Sequence, residues 1–306
     1  MLPLPDRPTD ALRLADWLEL RALLAGDSNS SMGDLERTLA RAGHFEDQPD
    51  AMDSKLADVS KELAMRSACA GAGYPFTIHD GIVEVQDWWR HSSYVFCLCL
   101  SYVSWRQPAG ARTFPARIFE TLSAEAARVF ASAADRGASA IRFGAPRVPQ
   151  EMPSNFKAAV NRLCIVHIGE GEGWRTGKQC TATLRGQDGG LDVVAWRDWP
   201  DSRTSKFLLW GACATGDDWE DKTHDLIVRE FADEWLNAAP ITPVVRAFFI
   251  PHRVHPDRWS RVCREAGVMF ERCRIASLVR DLPGATQVHG NAQEWIDNVL
   301  TDLHGQ

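Results

Sequence analysis

The hydrophobic and polar positions of the first 70 residues repeat with the period of a helix. Apolar residues recur every three or four positions, and residues that can cap a helix precede the first run. The pattern predicts helices at residues 9–24, 31–42 and 53–70. The polar segment GDSNSSMGD separates the first two of them. The sequence therefore predicts a small, mainly helical N-terminal module.

A different pattern begins at residue 74. The segments YPFTIHDGIVEV and YVFCLCLSYV are rich in β-branched and aromatic residues, and the second is continuously apolar. Segments of this composition favour strands, so strands are predicted within residues 74–105.

The rest of the chain alternates between helical and strand patterns. Apolar residues at helical spacing predict helices at 117–136, 156–168, 217–236, 256–267 and 291–303. Short apolar runs predict strands at 191–196, 206–210, 244–250 and 274–279. Alternation of this kind is typical of a layer of helices on a sheet. We therefore predict an α/β (α+β) fold with a mixed four- to five-stranded sheet flanked by helices.

The length of 306 residues suits one large domain or two modest ones. The Pro- and Gly-containing segment WRQPAGARTFP separates the two parts of the pattern. We predict an N-terminal helical/α+β module at residues 1–110, a sheet domain at 111–285 and a C-terminal helix at 286–306.

Composition and charge narrow the function classes. Hydrophobic residues make up 45% and charged residues 25%, which is ordinary for a globular protein. A formal net charge of −7 argues against a protein that coats nucleic acid through charge alone. Residues 246–274 nevertheless hold seven arginines against three acidic residues. This stretch is compatible with phosphate contacts and equally with a solvated helix face.

The sequence gives no indication of export or membrane insertion. The N-terminal residues MLPLPDRPTD lack the pattern of a signal peptide, and the longest apolar run, residues 94–103, is shorter than a bilayer crossing. The eight cysteines are scattered, without CxxC pairs. We expect a cytoplasmic protein whose cysteines are reduced and buried.

Asp192 is the strongest candidate for chemistry. It stands at the head of an apolar run, two residues after the turn-forming pair Gly189-Gly190. The residues after it are apolar on both faces of the predicted strand, so an unpaired carboxylate there would be costly. A bound cation would remove that cost. The alternative is that Asp192 lies at the strand edge and caps the glycine turn.

Three further side chains are candidates. Lys222 falls on the sheet-facing side of predicted helix 217–236, where it can offset phosphate charge or position a water. Its alternative is a common ion pair with Asp218. Glu170 lies between glycines, which either let the backbone approach a ligand or simply end a helix. A catalytic thiol at Cys213 is a weaker alternative, because no base lies nearby in the sequence.

Residues QDGGLD, from Gln187 to Asp192, resemble the GDGGID motif of the Mrr-type branch of the PD-(D/E)XK, or restriction-endonuclease-like, nuclease superfamily. The resemblance covers about residues 117–279. It implies a restriction-endonuclease-like sheet domain, Mg²⁺ (or Mn²⁺) as cofactor and hydrolysis of nucleic acid. Asp192 matches the metal-binding aspartate of the family. Glu170 would match the acid that some members carry on the first core helix.

The second motif of the family departs from the pattern. An acid or Gln followed two places on by Lys should fall at the end of strand 206–210, where this chain has Gly211-Ala212-Cys213-Ala214. Some members carry these residues on the following helix, so Lys222 would replace the missing lysine. The metal ligands that the resemblance implies are Asp192, Glu170, Asp217, Asp218 and Glu220.

Two functions follow as expectations. The first is a Mg²⁺-dependent endonuclease that hydrolyses DNA, with double-stranded DNA as the expected substrate, as an effector of restriction or anti-phage defence. In this function Asp192, Glu170 and Lys222 are catalytic. The alternative is a catalytically degenerate nuclease-fold subunit that binds nucleic acid or a partner protein without cleaving. The sequence leaves open a protein partner for the N-terminal module and a homodimer, and it predicts no membrane contact.

Overall fold

The computed structural model describes residues 2–5, 7, 9–45, 49–103, 113–134, 136–147, 149–179, 188–282 and 287–305. In chain order the helices and strands are α1 (Ala11–Leu24), β1 (Asn29–Ser31), α2 (Met32–Arg41), α3 (Pro49–Ala70), β2 (Phe76–His79), β3 (Ile82–Val85), α4 (Ser92–Val103), α5 (Thr113–Ala131), β4 (Ser139–Arg142), α6 (Phe156–Arg162), β5 (Glu172–Trp174), β6 (Val193–Arg197), β7 (Phe207–Cys213), α7 (Val228–Trp235), β8 (Leu236–Ala238), β9 (Val245–Phe249), α8 (Pro256–Ala266), β10 (Val268–Phe270), α9 (Arg272–Leu278) and α10 (Gln287–His304). A π-helical turn, Leu163–Ile168, extends α6.

The chain divides into two compact units. The N-terminal unit comprises Met1–Pro108, Pro251–His255 and Glu271–Gln306, and the sheet unit comprises Ala109–Ile250 and Pro256–Phe270. The segment after residue 271 thus belongs to the N-terminal unit, together with the predicted C-terminal helix. The predicted boundary at residue 110 lies outside the described residues.

The three predicted N-terminal helices are confirmed as α1, α2 and α3. Side chains cap the first two: Asp10 accepts a hydrogen bond from the backbone of Leu12, and Ser31 and Asp34 form a capping box. Strands β1, β3 and β2 form a small antiparallel sheet in that order. The unit therefore combines helices with a three-stranded sheet.

Two predicted strands in this unit are wrong. Residues 94–103 form α4, and all twelve residues of that helix are buried. A helix that is apolar on every side has no period by which the sequence could distinguish it from a buried strand. Residues 274–279 fall largely in α9, whose first turn is capped by the carboxylate of Glu271. A helix of seven residues is too short to show a helical period clearly.

The sheet unit is built on a five-stranded mixed sheet of order β10-β9-β7-β6-β4. Strands β4, β6 and β7 are antiparallel neighbours, and β7, β9 and β10 run parallel. Helix α5 lies against β4, β6 and β7. The predicted mixed α/β class, with a sheet of four to five strands and helices, is confirmed.

The strand directions bring several ends to one edge of the sheet. Arg142, the last residue of β4, pairs with Val193, the first of β6, and Val193 also pairs with Gly211 near the end of β7. Residues 142–147, 188–192 and 211–214 therefore meet at this edge, which we call the site edge. The other ends of β6 and β7 lie about four residues, or roughly 13 Å, away along the strands.

The predicted single helix at 217–236 is wrong. It is replaced by one 3-10 turn, Trp219–Lys222, and by the short helix α7. Between them the backbone passes very close to Gly190, where a Cβ would lie 2.2 Å from the carbonyl oxygen of Asp225. This close approach to the glycine turn accompanies the interruption of the helix.

The arginine-rich stretch does not form one basic face. Arg253 and Arg272 are paired with acids inside the N-terminal unit. Arg258 and Arg261 of α8 both pair with Glu220 in the sheet unit. Much of this positive charge is therefore neutralised within the protein. Across the described ranges, none of the helices is both long and apolar enough to cross a bilayer.

Candidate active site

Two carboxylates converge at the site edge. Asp192 directly precedes β6, and Glu120 lies on α5. A Cβ placed on Gly144, just after β4, would lie 2.6 Å from Oε2 of Glu120 and 2.8 Å from Oδ1 of Asp192. Both carboxylate oxygens thus lie where a side chain at position 144 would begin, and only glycine leaves this space free.

The backbones of the two neighbouring strands position Asp192. Its N–H donates to the carbonyl oxygen of Gly211 at 2.9 Å, and its carbonyl oxygen accepts from the N–H groups of Phe143 and Gly144 at 2.6 and 3.1 Å. Its carboxylate oxygen Oδ2 accepts from the N–H of Cys213 at 2.7 Å. The other oxygen, Oδ1, is the one that faces Gly144. The side chain is therefore fixed from β7 and directed towards Glu120.

Arg142 holds the second carboxylate. Its Nη1 lies 2.5 Å from Oε2 of Glu120 and also donates to the carbonyl oxygen of Gly144 at 2.8 Å. Its Nη2 donates to the carbonyl oxygen of Pro146. The guanidinium is almost completely buried. These contacts fix the orientation of Glu120 beside Asp192.

A third acid, Asp188, shapes the turn that leads into β6. Its Oδ1 accepts from the N–H of Gly190 at 3.0 Å, and its Oδ2 accepts from the N–H of Ala145 at 3.1 Å. Gly190 has a φ of 78°, a conformation that favours glycine. The glycine turn of the sequence motif thus serves to present Asp192 at the strand end.

The cluster carries an excess of negative charge. Burial, followed by the charges of Glu120 and Asp188, raises the pKa of Asp192 well above its ordinary range. Burial also raises the pKa of Glu120, although Arg142 opposes the shift. A cation beside Asp192 and Glu120 would reduce this repulsion.

Asp192 and Glu120 are suitable ligands for Mg²⁺. This ion commonly binds through one or two carboxylates and keeps several waters, so it does not require a cage of protein ligands. In the part of the chain that the structure describes, no three His, Cys, Asp or Glu side chains come together as a metal-binding group. A divalent cation at the site edge would therefore have two carboxylates, Asp192 and Glu120, as its protein ligands.

Glu170 does not join this site. Its carboxylate is buried and accepts from the N–H groups of Lys206 at 2.9 Å and Thr242 at 3.3 Å. Lys206 directly precedes β7 and pairs with Asp198, which follows β6. Glu170 thus lies at the opposite ends of these strands from Asp192. Its role is to satisfy backbone groups.

Two of the other predicted acids are paired with basic side chains. Asp218 forms an ion pair with Lys222 at 3.2 Å, and Glu220 pairs with Arg258 and Arg261. Asp217 is half-buried just before the 3-10 turn. The resemblance thus implied several acids as metal ligands, whereas the acid that the structure brings next to Asp192 is Glu120.

Lys222 keeps a partial connection with the site edge. Its side chain is 39% exposed and forms an ion pair with Asp218, which is the alternative role considered for it from the sequence. Burial raises the pKa of nearby Asp225, the charge of Lys222 lowers it, and the charge of Asp188 raises it. Asp225 is thus within electrostatic range of both Lys222 and the turn that carries Asp192.

The thiol of Cys213 is a poor nucleophile. Burial, followed by the charges of Asp192 and Glu120, raises its pKa well above the ordinary value. A thiolate, the reactive form, is therefore disfavoured here. What Cys213 contributes to the site is its backbone N–H, which binds Asp192.

Sequence reasoning missed Glu120 and Gly144. Glu120 directly follows the buried residues Ile118 and Phe119 of α5, so an acid at the margin of an apolar stripe was the available signal. The sequence pattern predicts no strand before Gly144, so it gave no sign that this glycine follows the end of the short strand β4.

A scan against protein-family models, a search of curated proteins and a search of solved structures each found no match to this chain.

Proposed function

We propose that the sheet unit is a divalent-cation-dependent nuclease that hydrolyses phosphodiester bonds of nucleic acid, with Asp192 and Glu120 at its centre. The observation that carries the proposal is the convergence of these two carboxylates on Gly144. The mixed sheet flanked by helices, with an aspartate at the start of β6, is compatible with the restriction-endonuclease-like architecture that the motif implies.

Asp192 and Glu120 would hold Mg²⁺ or Mn²⁺. When bound, the cation would lower the pKa of a water and neutralise charge that develops on the phosphate. The protein's own groups preorganise the site. The N–H of Cys213 fixes one oxygen of Asp192, and Arg142 fixes Glu120. Because these partners are in place before substrate arrives, the carboxylates need little rearrangement to act.

Lys222 supplies the positive charge that the end of β7 lacks. Ala212 and Ala214 stand where the resemblance calls for an acid and a lysine, and both are buried. Lys222 is long and more than one third exposed, so its ammonium group is available to a phosphate once it leaves Asp218. It would neutralise substrate charge and help to position the attacking water.

One observation favours a second function, a nuclease-fold subunit that binds nucleic acid without cleaving it. Arg142 already neutralises Glu120, and no acid or lysine stands at the end of β7. Such a site would bind a divalent cation weakly and lack the groups that activate water. The two functions differ in whether a phosphodiester bond is broken.

The test is a cleavage assay with the full chain. Supercoiled plasmid, linear duplex and single-stranded RNA are incubated with Mg²⁺, Mn²⁺ or EDTA, using wild type, Asp192→Asn and Glu120→Gln. We expect metal-dependent cleavage that falls by at least about 100-fold in both variants, because each substitution replaces a charged carboxylate ligand of the metal by a neutral amide. Glu220→Gln is the matched control, since this acid pairs with arginines outside the two-carboxylate site.

Metal binding is measured in parallel by the rise of the thermal unfolding midpoint on addition of Mg²⁺. A rise in wild type without cleavage of any substrate would support the non-cleaving subunit. Undiminished cleavage in Asp192→Asn would remove this residue from the site and contradict the proposal.

A further inference from the structure

Helices α3 and α9 of the N-terminal unit meet closely at the end of α3. Gly73, just after α3, approaches Ala276 of α9 so closely that a Cβ would lie 2.2 Å from the Ala276 carbonyl oxygen. The last turn of α3 carries Cys69, and the second residue of α9 is Cys273. Two segments that are far apart in the sequence thus place a cysteine each at the same contact.

Cys69 and Cys273 both lie beside the carboxylate of Glu271, and each thiol contributes to the pKa shift of the other. The Cys69 thiol lies 3.8 Å from Oε1 of Glu271, whose other oxygen accepts from the backbone N–H of Cys273 at 3.1 Å. Cys69 is exposed, whereas Cys273 is buried. The expectation that all cysteines are buried is therefore wrong for Cys69.

We propose that Cys69 and Cys273 form a redox-active pair: the exposed Cys69 reacts first with a peroxide, and the buried Cys273 resolves the product into a disulfide. This assignment is independent of the nuclease proposal. It follows from the position of both cysteines beside the Glu271 carboxylate and from the exposure of only one of them.

The electrostatic environment favours this division of roles. The neighbouring side chain of Cys273 lowers the pKa of the Cys69 thiol, and the charges of Arg253 and Arg274 act in the same direction, against burial and Glu271. Burial and the side chain of Cys69 raise the pKa of Cys273. A thiol that is exposed, has a lowered pKa and lies beside a resolving cysteine is the common arrangement of a redox-sensing site.

The reaction balances with hydrogen peroxide as the oxidant. The Cys69 thiolate attacks one peroxide oxygen, the O–O bond breaks, and sulfenic acid and hydroxide form. The Cys273 thiolate then attacks the sulfenic sulfur, the S–S bond forms and a second hydroxide leaves. Two protons from the two thiols convert both hydroxides to water. A dithiol reductant reverses the oxidation by thiol–disulfide exchange.

Other described cysteines are less suited to this reaction. Cys97, Cys99 and Cys164 are buried, and burial raises their pKa values, in the latter two to about 12. Cys263 is half-buried and lies in the sheet unit. It therefore provides a matched control of intermediate exposure.

The experiment treats the reduced full chain with a small molar excess of hydrogen peroxide, followed by alkylation and peptide mapping by mass spectrometry. We expect a Cys69–Cys273 peptide lighter by two hydrogen atoms, at least about tenfold more abundant than any other disulfide, and its disappearance after reduction. Cys69→Ser should abolish it, whereas Cys263→Ser should leave it unchanged. In Cys273→Ala a sulfenic acid should accumulate at Cys69 and be trapped by a dimedone reagent.

Because Cys273 is packed in the interior, Cys273→Ala could fail to fold, and the exposed Cys69→Ser variant keeps the test decisive. A disulfide that still forms at Cys273 in Cys69→Ser, or oxidation of wild type that yields no Cys69–Cys273 peptide, would overturn the assignment. In wild type the oxidised chain should also unfold at a higher temperature than the reduced chain, since the bond restrains two distant segments.

Discussion

Both units bury acidic side chains, but they neutralise them differently. In the N-terminal unit Arg66 is completely buried and donates to Asp16, Glu19 and Glu62 at 2.7 to 2.8 Å. Arg272 adds a second contact to Asp16, and Arg253 joins Glu62 to Glu271. In the sheet unit, by contrast, Arg142 contacts Glu120 while Asp192 receives a backbone N–H at its side chain.

The pKa values express the same difference. Burial acts to raise the pKa of Asp16, but Arg272 and Arg66 overcome it, and the net shift is downward. At Asp192 burial is joined by the charges of Glu120 and Asp188, and the net shift is upward. Glu19 differs from Asp16, since burial raises its pKa and the opposing charges of Arg66 and Arg272 do not overcome the shift.

The comparison separates two uses of buried charge. Acids matched by arginines hold the three segments of the N-terminal unit together, and the fold itself satisfies them. Acids left in excess lower the stability of the sheet unit, and such groups are characteristic of sites that bind a ligand or perform catalysis. The two clusters should therefore respond in opposite ways when a charge is removed.

The largest effect is expected at Arg66. Arg66→Met would leave three buried carboxylates without their shared partner, and breaking a buried ion pair on one side costs about 3–5 kcal/mol. The free energy of unfolding is measured by urea titration of the full chain. Arg37→Met is the control, because its pair with Asp34 is exposed and should contribute less than about 1 kcal/mol. Equal losses in both variants would contradict the importance of the buried network.

A smaller effect of opposite sign is expected at Asp192. The folded-state pKa is raised, so the folded chain loses stability as the pH rises from the unfolded pKa, about 4, through the folded value. Asp192→Asn removes this loss and should be more stable than wild type by about 1 kcal/mol or more at neutral pH without metal. The gain should vanish near pH 4. It should also shrink when Mg²⁺ is added, because the cation stabilises wild type alone.

Asp16→Asn is the matched counterpart of that variant. The folded-state pKa of Asp16 is lowered, so its contribution to stability is present above the unfolded pKa and is lost as the pH falls. This variant should be less stable than wild type at neutral pH, and the difference should narrow in acid. Thermal unfolding between pH 4 and pH 8 compares the two variants. A change of the same sign in both would show that the two clusters do not differ as described.

The contrast between the units also explains what could be predicted from the sequence. Helices α1, α2 and α3 were predictable because their apolar residues recur every three or four positions in the sequence, although α1 is itself buried on most sides. Helix α4 was not, because it is buried on all sides. For elements of this kind the conformation depends on what surrounds them, and the local pattern does not record it.

The site was predictable to the same extent. Asp192 follows from a glycine turn before an apolar strand, which are features of neighbouring residues. Glu120 joins it only through the pairing of β4 with β6 and the packing of α5 on both. Glu170 was predicted from its flanking glycines, but its carboxylate is satisfied by backbone N–H groups of residues 36 and 72 positions away in the chain. Long-range pairing of this type is absent from the local sequence.

The smallest effect on stability is expected at Lys222, and it tests where the catalytic charge comes from. Lys222→Ala breaks an exposed pair with Asp218, so the free energy of unfolding should change by no more than about 0.5 kcal/mol. Stabilisation by Mg²⁺ should be unchanged, because Asp192 and Glu120 remain. Cleavage should nevertheless fall about tenfold or more if this ammonium group neutralises the phosphate.

Lys55→Ala is the control, since Lys55 also forms a surface pair, with Asp58 at 3.6 Å, in the N-terminal unit. It should affect neither stability nor cleavage by a comparable amount. Undiminished cleavage by Lys222→Ala would show that this residue forms its ion pair with Asp218 but takes no part in cleavage. The positive charge at the site would then have to come from Arg142, the last residue of β4, which contacts Glu120 and the carbonyl oxygen of Gly144, and from Arg147, which donates to the carbonyl oxygen of Ser154. In that case arginines and acids of the same site edge would balance each other, and no charge from the segment after β7 would be needed.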